Sequence, residues 1–188
     1  MGKKDTKDLT KFLHPFSDEV NKLAFWLRDF VWDLYPKCNE LIYDNYNAVA
    51  FGWSPTDKLG DTFCSVAVWR PSKKVIFGFY WGAKIADPEK LLIGNGNQFR
   101  YIRVPDKKSF PKEYVKKLIA GAYAYSISKM KPGPESPQGT TITKSISPVK
   151  RAESKKKPVN KISSKKKAET KKTVRAGKKP VKAKKLKK

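Results

Sequence analysis

Residues 40–52, ELIYDNYNAVAFG, decide how the rest of the chain is read. The stretch reads as one strand whose apolar ends enclose a polar middle. Tyr43, Tyr46, Val49 and Phe51 favour a pleated, half-buried surface, whereas Asp44, Asn45 and Asn47 are residue types that strands avoid. A local rule broken inside an ordered segment directs attention to function or strain. Alternation places Asp44 on the face of Ile42 and Tyr46, and Asn45 with Asn47 on the other. The three polar side chains can bind a ligand or metal through their oxygens. The alternative is a structural hydrogen-bond network, with Asp44 paired to Arg100 or Arg103, or a polar strand edge.

Upstream of this strand, Ser17 fits a helix cap, and Asp18 and Glu19 suit the positive end of a helix dipole. Val20, Leu23, Ala24, Leu27, Phe30, Val31 and Leu34 then recur at helical spacing until Pro36 stops the pattern. Downstream, residues 54–61 (SPTDKLGD) are turn chemistry. Residues 62–70 and 74–81 read as strands whose short connection, Pro71-Ser72-Lys73, implies an antiparallel hairpin. Gly78, in mid-strand, marks a bulge or a close approach. In residues 82–97, Asp87-Pro88 starts a short helical turn through Leu91 and Leu92, and Gly94-Asn95-Gly96 reverses the chain. Residues 98–104 (QFRYIRV) read as a fourth strand, and Pro111 opens a second helix on Val115, Leu118, Ile119 and Ala122. Helix, four strands, helix is the order of an α+β layer: a four-stranded or slightly larger antiparallel sheet with both helices on one face.

The charge is segregated. Residues 150–188 hold 19 Lys and Arg against 2 acids, so they carry +17 of the formal +25 and contain no aromatic residue. The chain accordingly divides into a polar, loosely docked lead-in (1–16), an α+β domain (17–129), a Pro/Gly/Ser/Thr-rich linker (130–149) and a basic tail (150–188). Such a tail buries too little apolar surface to offset its chain entropy and is expected to be disordered. Its composition looks like that of linker-histone and bacterial histone-like tails, and Ser147-Pro148-Val149-Lys150 matches their Ser-Pro-x-Lys pattern. Lys150, Arg151, Lys155, Lys156, Lys157, Lys165, Lys166, Lys167, Lys171, Lys172, Arg175, Lys178, Lys179, Lys184 and Lys185 are expected to neutralise phosphates of DNA or RNA without sequence preference. The plain alternative is a solubilising tail without a partner. A membrane surface fits less well, because no amphipathic apolar face or lipidation signal accompanies the charge.

Other chemistry is limited by what the chain contains. No apolar run approaches the roughly 18 residues of a membrane span. The first residues, MGKKDTKDLTKF, lack the apolar core of a secretory signal. Cys38 and Cys64 are too few and too far apart for a disulfide framework or a zinc site, and read as reduced thiols of a cytoplasmic protein. The single histidine, His14, excludes a three-histidine metal site and a core triad with a histidine base. No cofactor is expected. Trp53, Trp69, Tyr80 and Trp81, near Arg70, Lys73 and Lys74, offer a stacking platform for bases, although core packing accounts for these aromatics more simply.

Five segments together carry a family resemblance: LIYDNYNA (41–48), AFG (50–52), SPTDKLGDTFCSVAV (54–68), FYWGAKIADPEKLLIGNG (79–96) and FRYIRV (99–104). In this order they resemble the YdhG-like domain of unknown function, a large bacterial family, over a little more than half the chain. The resemblance implies a compact α+β domain similar in layout to frataxin. One member has been described as a frataxin-like iron chaperone. An iron-binding role here would rest on Asp18, Glu19, Asp29 and Asp33 of the first helix, with Glu40 beyond it. The expected function is that of a non-enzymatic, nucleoid-associated protein, with the folded domain supplying a second interaction: a small ligand, a protein partner or a homodimer interface. An iron carrier and an enzyme of unrecognised type are the alternatives.

Overall fold

A computed structural model describes residues 2–131 and 137–152. The stretch 40–52 is two strands rather than one. β1 (Asn39–Asp44) and β2 (Ala48–Ser54) pair antiparallel, with Ile42 opposite Phe51 and Asp44 opposite Val49. Asn45, Tyr46 and Asn47 make the connection, and the Asn45 N–H donates to the Ala48 carbonyl at 2.9 Å. The polar middle is therefore turn chemistry, since Asp and Asn bond locally and accept turn dihedrals.

The antiparallel meander continues through β3 (Cys64–Trp69), β4 (Val75–Tyr80) and β5 (Phe99–Val104). The sheet is not the expected four-stranded antiparallel one. It is mixed and six-stranded, in the order β5-β4-β3-β2-β1-β6. β6 (Thr141–Ile146) lies parallel to β1 and comes from residues 130–149, which read as a linker. Thr141, Ile142, Thr143 and Ile146 are β-branched and suit a strand, but turn-forming neighbours mask them in the composition. Gly139, at φ +64, makes the turn into this strand. Its N–H donates to the Lys37 carbonyl at 3.1 Å, and its carbonyl accepts from the Gly2 N–H at 2.9 Å. A left-handed φ there favours glycine.

Among the described residues, three α-helices accompany the sheet: α1 (Lys7–Leu13), α2 (Asp18–Leu34) and α3 (Lys112–Lys129). The lead-in is not loosely docked, because Leu9, Phe12, Leu13 and Phe16 lie in the core. α3 is not the terminal element, because β6 follows it. The chain does turn at Asp87-Pro88, where the Lys90 N–H donates to the Asp87 carbonyl at 3.0 Å, but no helix continues through Leu91 and Leu92; the 3-10 turn of this connection lies earlier, at Gly82–Lys84. Asp87 organises the following loop. Its carboxylate accepts from the Leu91 and Leu92 N–H groups at 3.1 and 2.9 Å, and from the Tyr114 hydroxyl at 2.6 Å. Burial works against ionisation of Asp87, but these donors hold its carboxyl below the usual range.

Register explains the core. Ile42, Phe51, Val66, Phe77 and Ile102 form one row across the five antiparallel strands. They share a single apolar cluster with Leu27 and Val31 of α2 and Val115 and Leu118 of α3. Leu41, Ala67 and Ile76 have the opposite parity and are also buried, yet lie outside that cluster. The helices thus draw on one face of the sheet.

A buried ion pair ties the layers together. Arg28 sits on the apolar stripe of α2, and Glu40 shares a face with Ile42; their side chains are 1% and 0% exposed. Arg28 Nε and Nη2 donate to Glu40 Oε1 and Oε2 at 2.7 and 2.6 Å. The same guanidinium donates to the carbonyls of Lys3, Gly2 and Asp5 at 2.8, 3.0 and 2.9 Å. The Thr141 hydroxyl of β6 bridges the Gly2 carbonyl and Glu40 Oε2 at 2.8 and 2.9 Å. Burial pushes the Glu40 carboxyl up, and the bonds from Arg28 and Thr141 oppose that push. Glu40→Gln leaves the buried Arg28 charge without its counter-charge. It is expected to cost about 3–5 kcal/mol in chemical denaturation and to make the N-terminal segment the first site of limited proteolysis. A loss below about 1 kcal/mol would contradict this account.

Candidate functional site

The polar residues singled out by sequence meet at one end of the β1–β2 hairpin. Asp44 is 5% exposed, and its carboxylate bridges Arg70 Nη2 and Lys150 Nζ, the latter at 2.7 Å. Arg70 follows β3. Its Nε donates to the Asn45 carbonyl at 3.1 Å, its backbone N–H to the Asn47 carbonyl at 2.9 Å, and its guanidinium stands 5.8 Å from the Phe16 ring centroid.

Residues 145–151 close over the other side. Ser147 N–H and Lys150 Nζ donate to the Asp44 carbonyl at 2.8 and 2.7 Å. Ser145 Oγ contacts Asn45 Oδ1 at 3.1 Å, Arg151 N–H donates to the Tyr46 carbonyl at 2.9 Å, and Arg151 Nη1 to Asn47 Oδ1 at 3.1 Å. Asp44, Asn45 and Asn47 therefore do form one cluster, but their oxygens are occupied by Arg70 and by the root of the basic tail. The arrangement is a clasp.

Arg100 and Arg103 are not the partners of Asp44. They lie on β5, four strand positions from β1, a distance of roughly 19 Å at the usual strand spacing. Arg100 Nε donates to the Gly96 carbonyl at 3.4 Å instead. Of the tail cations, Lys150 and Arg151 belong to the clasp; those from Lys155 onward lie outside the described residues.

The carboxylates that an iron site would use are dispersed. Glu40 is held by Arg28, and Asp33 pairs with Lys3. Among the described residues, no group of three or more His, Cys, Asp or Glu side chains could hold a metal ion. None of the described helices is long and apolar enough to cross a membrane. Both thiols are free and buried. Burial pushes Cys38 up to about 12 and Cys64 well above its ordinary value, so neither supplies thiolate at neutral pH.

The expected stacking platform is split by the fold. Trp53 is fully buried in the core, and Arg70 is committed to Asp44. Trp81 adopts a left-handed φ of 58° and packs on Tyr125 at 6.1 Å, with Lys129 Nζ 3.6 Å from the centre of its ring. Trp69 and Tyr80 remain on the face away from the helices. Sequence reasoning missed the residues that join them there: Tyr43, Phe99 and Tyr101. Tyr80 and Phe99 meet edge-on at 5.6 Å, and Phe99 stacks on Tyr101 at 6.4 Å. Strand parity was the signal, usable once register was known. Between the rings lies a floor of small residues, Ala50, Gly52, Ser65, Ala67 and Gly78, aligned across β2, β3 and β4.

Comparison with protein-family models, with curated proteins and with solved structures gave no match. Fold and site define the class on their own terms: an α+β domain with one helix-covered sheet face, one aromatic face, and a clasp on the root of a Lys-rich segment.

Two outcomes follow from this geometry. Asp44→Ala removes the counter-charge of Arg70 and Lys150 together. It is expected to cost about 3 kcal/mol and to speed hydrogen exchange at the Ser147 and Arg151 amides, while exchange in α3 keeps its wild-type order. Cys38 and Cys64 should both resist a thiol-reactive disulfide reagent near neutral pH in the native protein and both react in denaturant; rapid native labelling of either would refute the burial argument.

Proposed function

We propose that this chain is a non-enzymatic, nucleic-acid-associated protein of YdhG-like type that binds DNA or RNA without sequence preference through residues 150–188, as a cytoplasmic, nucleoid-associated component. The observation that carries the reading is the segregation of charge, with +17 of the formal +25 confined to those residues. A polycation of this kind binds by displacing counterions from phosphates, which makes affinity steeply salt-dependent. The clasp supports the reading in a second way. By holding Lys150 and Arg151 against Asp44 and Asn47, it gives the basic segment a set point of departure from the folded domain. Lys150 is spent on Asp44, so phosphate contact falls to the cations beyond it.

The test compares the full chain with one ending at Ala152. A cut at residue 131 would remove β6 and the clasp and would confound binding with folding. Duplex DNA and RNA affinity are measured over a series of salt concentrations. The shortened chain is expected to lose most of its affinity, and its log K against log salt to flatten by about 0.9 for each duplex phosphate no longer neutralised. Equal affinity and equal slope for the two chains would refute the proposal.

A further inference from the structure

We infer that the aromatic face of the sheet is a binding surface for single-stranded nucleic acid, centred on Trp69 and Tyr101. The inference takes its partner class from the reading of the tail, but it stands on a different part of the molecule and can fail separately.

The centre is a shallow cavity of about 210 Å³ lined by Trp69, Ser72, Lys74, Ile76, Tyr101 and Arg103. Register builds it. The Trp69 N–H donates to the Lys74 carbonyl at 3.0 Å at the end of the β3–β4 ladder. Ile76 pairs with Arg103, and Gly78 with Tyr101, across β4 and β5. Trp69, Ile76, Tyr101 and Arg103 share a face by strand parity, and Lys74 stands at its margin. Trp69 is 42% exposed although it is a large indole in a sheet.

The charge is one-sided. No carboxylate lines the cavity. Among the described residues, neither Lys74 nor Arg103 forms a salt bridge, and Glu19 lines an adjoining cavity with both of them.

The floor is shaped for flat groups. A Cβ on Gly78 would lie 2.4 Å from the Phe99 ring and 3.1 Å from Ser65 Oγ, so only glycine lets that ring lie on the sheet. Phe99 in turn stacks on Tyr101 with an interplanar angle of 24°. The result is a run of rings lying along the sheet and ending beside two cations.

That combination asks for planar apolar groups joined by anions. Bases of a single strand expose their faces and carry a phosphate each, and base–aromatic stacking tolerates any sequence. A duplex hides its base faces and would meet only the cations. A second copy of this chain would bring Lys74 and Arg103 against the same two charges, which opposes self-association through this face.

The experiment uses the full chain, an unstructured single-stranded oligonucleotide (oligo-dT and oligo-U) and a mixed-sequence duplex, at several salt concentrations. Trp69→Ala and Tyr101→Ala are each expected to weaken single-strand binding by roughly 5- to 150-fold, the range for loss of one stacked base. Duplex affinity should stay unchanged, and Trp69→Phe should retain most of the single-strand affinity. Arg103→Ala should weaken single-strand binding and lower its salt slope by about 0.7 per lost phosphate contact. Because Trp69 is 42% exposed and lies outside the core cluster, its variant remains a fair test if Tyr101→Ala proves unstable. The inference is overturned if Trp69→Ala leaves single-strand affinity intact, if single-strand and duplex affinities fall together, or if the variant's only effect is to dissolve a dimer. Removing residues 153–188 should lower duplex binding and leave the Trp69→Ala effect on single strands in place. Unchanged duplex binding in that shortened chain would count against the tail alone.

Discussion

The pairing of Arg28 with Glu40 is the contact on which the arrangement of layers depends. Taking both ions out of water costs several kcal/mol each, and only good geometry offsets that. Here the geometry is bidentate, and the remaining guanidinium protons find three carbonyls of the N-terminal segment. An apolar pair of similar volume could fill the same space. The apolar alternation of β1 also favours this register, and the ion pair adds a penalty for slippage that an apolar pair lacks. Slipping β1 by one residue would turn Glu40 to the opposite face of the sheet and strand Arg28 in the core. The pair therefore sets how α2 sits on β1, and through Thr141 and Gly2 it also places β6 and the first residues.

The two faces of the sheet meet opposite demands. One carries rows of Val and Phe that the helices bury. The other places Gly52, Ser65 and Gly78 in a single row, too low to anchor a helix by side-chain interdigitation but low enough for rings to lie across. An antiparallel sheet tolerates such a face toward solvent because its neighbours already satisfy its backbone groups. The helices thus cover one side of the sheet, and rings rather than helices lie over the other.

Periodicity made α2, the hairpin of β3 and β4, β5 and α3 legible, because each carries an uninterrupted 3.6- or 2-residue pattern longer than one turn or a few residues. The misses have physical causes. Asp44, Asn45 and Asn47 read as a disturbance within a strand, although three turn-formers within four residues between two apolar runs also describe a hairpin. α1 is only seven residues long, and its buried Leu9, Phe12 and Leu13 are diluted by lysines. β6 lies among Pro, Gly and Ser and finds its partner about 100 residues earlier in the chain, a pairing no local pattern can announce. Arg28 and Glu40 carried a readable clue: opposite charges at positions in phase with Leu27, Val31 and Ile42, where solvent-facing residues do not belong. The partners of Asp44 are not legible without strand order, since Arg70 is nearer in the fold than either arginine of β5.

The parallel strand β6 has one more consequence, for how the chain is made. During synthesis the meander from β1 to β5 is complete in sequence by residue 104, but the outer edge of β1 then has no neighbour. Its residues, NELIYD, include a buried leucine and isoleucine, and an open apolar edge is a template for pairing with other chains. Thr143, Lys144 and Ser145 of β6 replace that edge with a polar one. A transcript cut short, or a ribosome stalled, between β5 and β6 would release a molecule with most of its core and none of its edge protection. Such a fragment would present β1 as an open pairing edge for as long as β6 is absent.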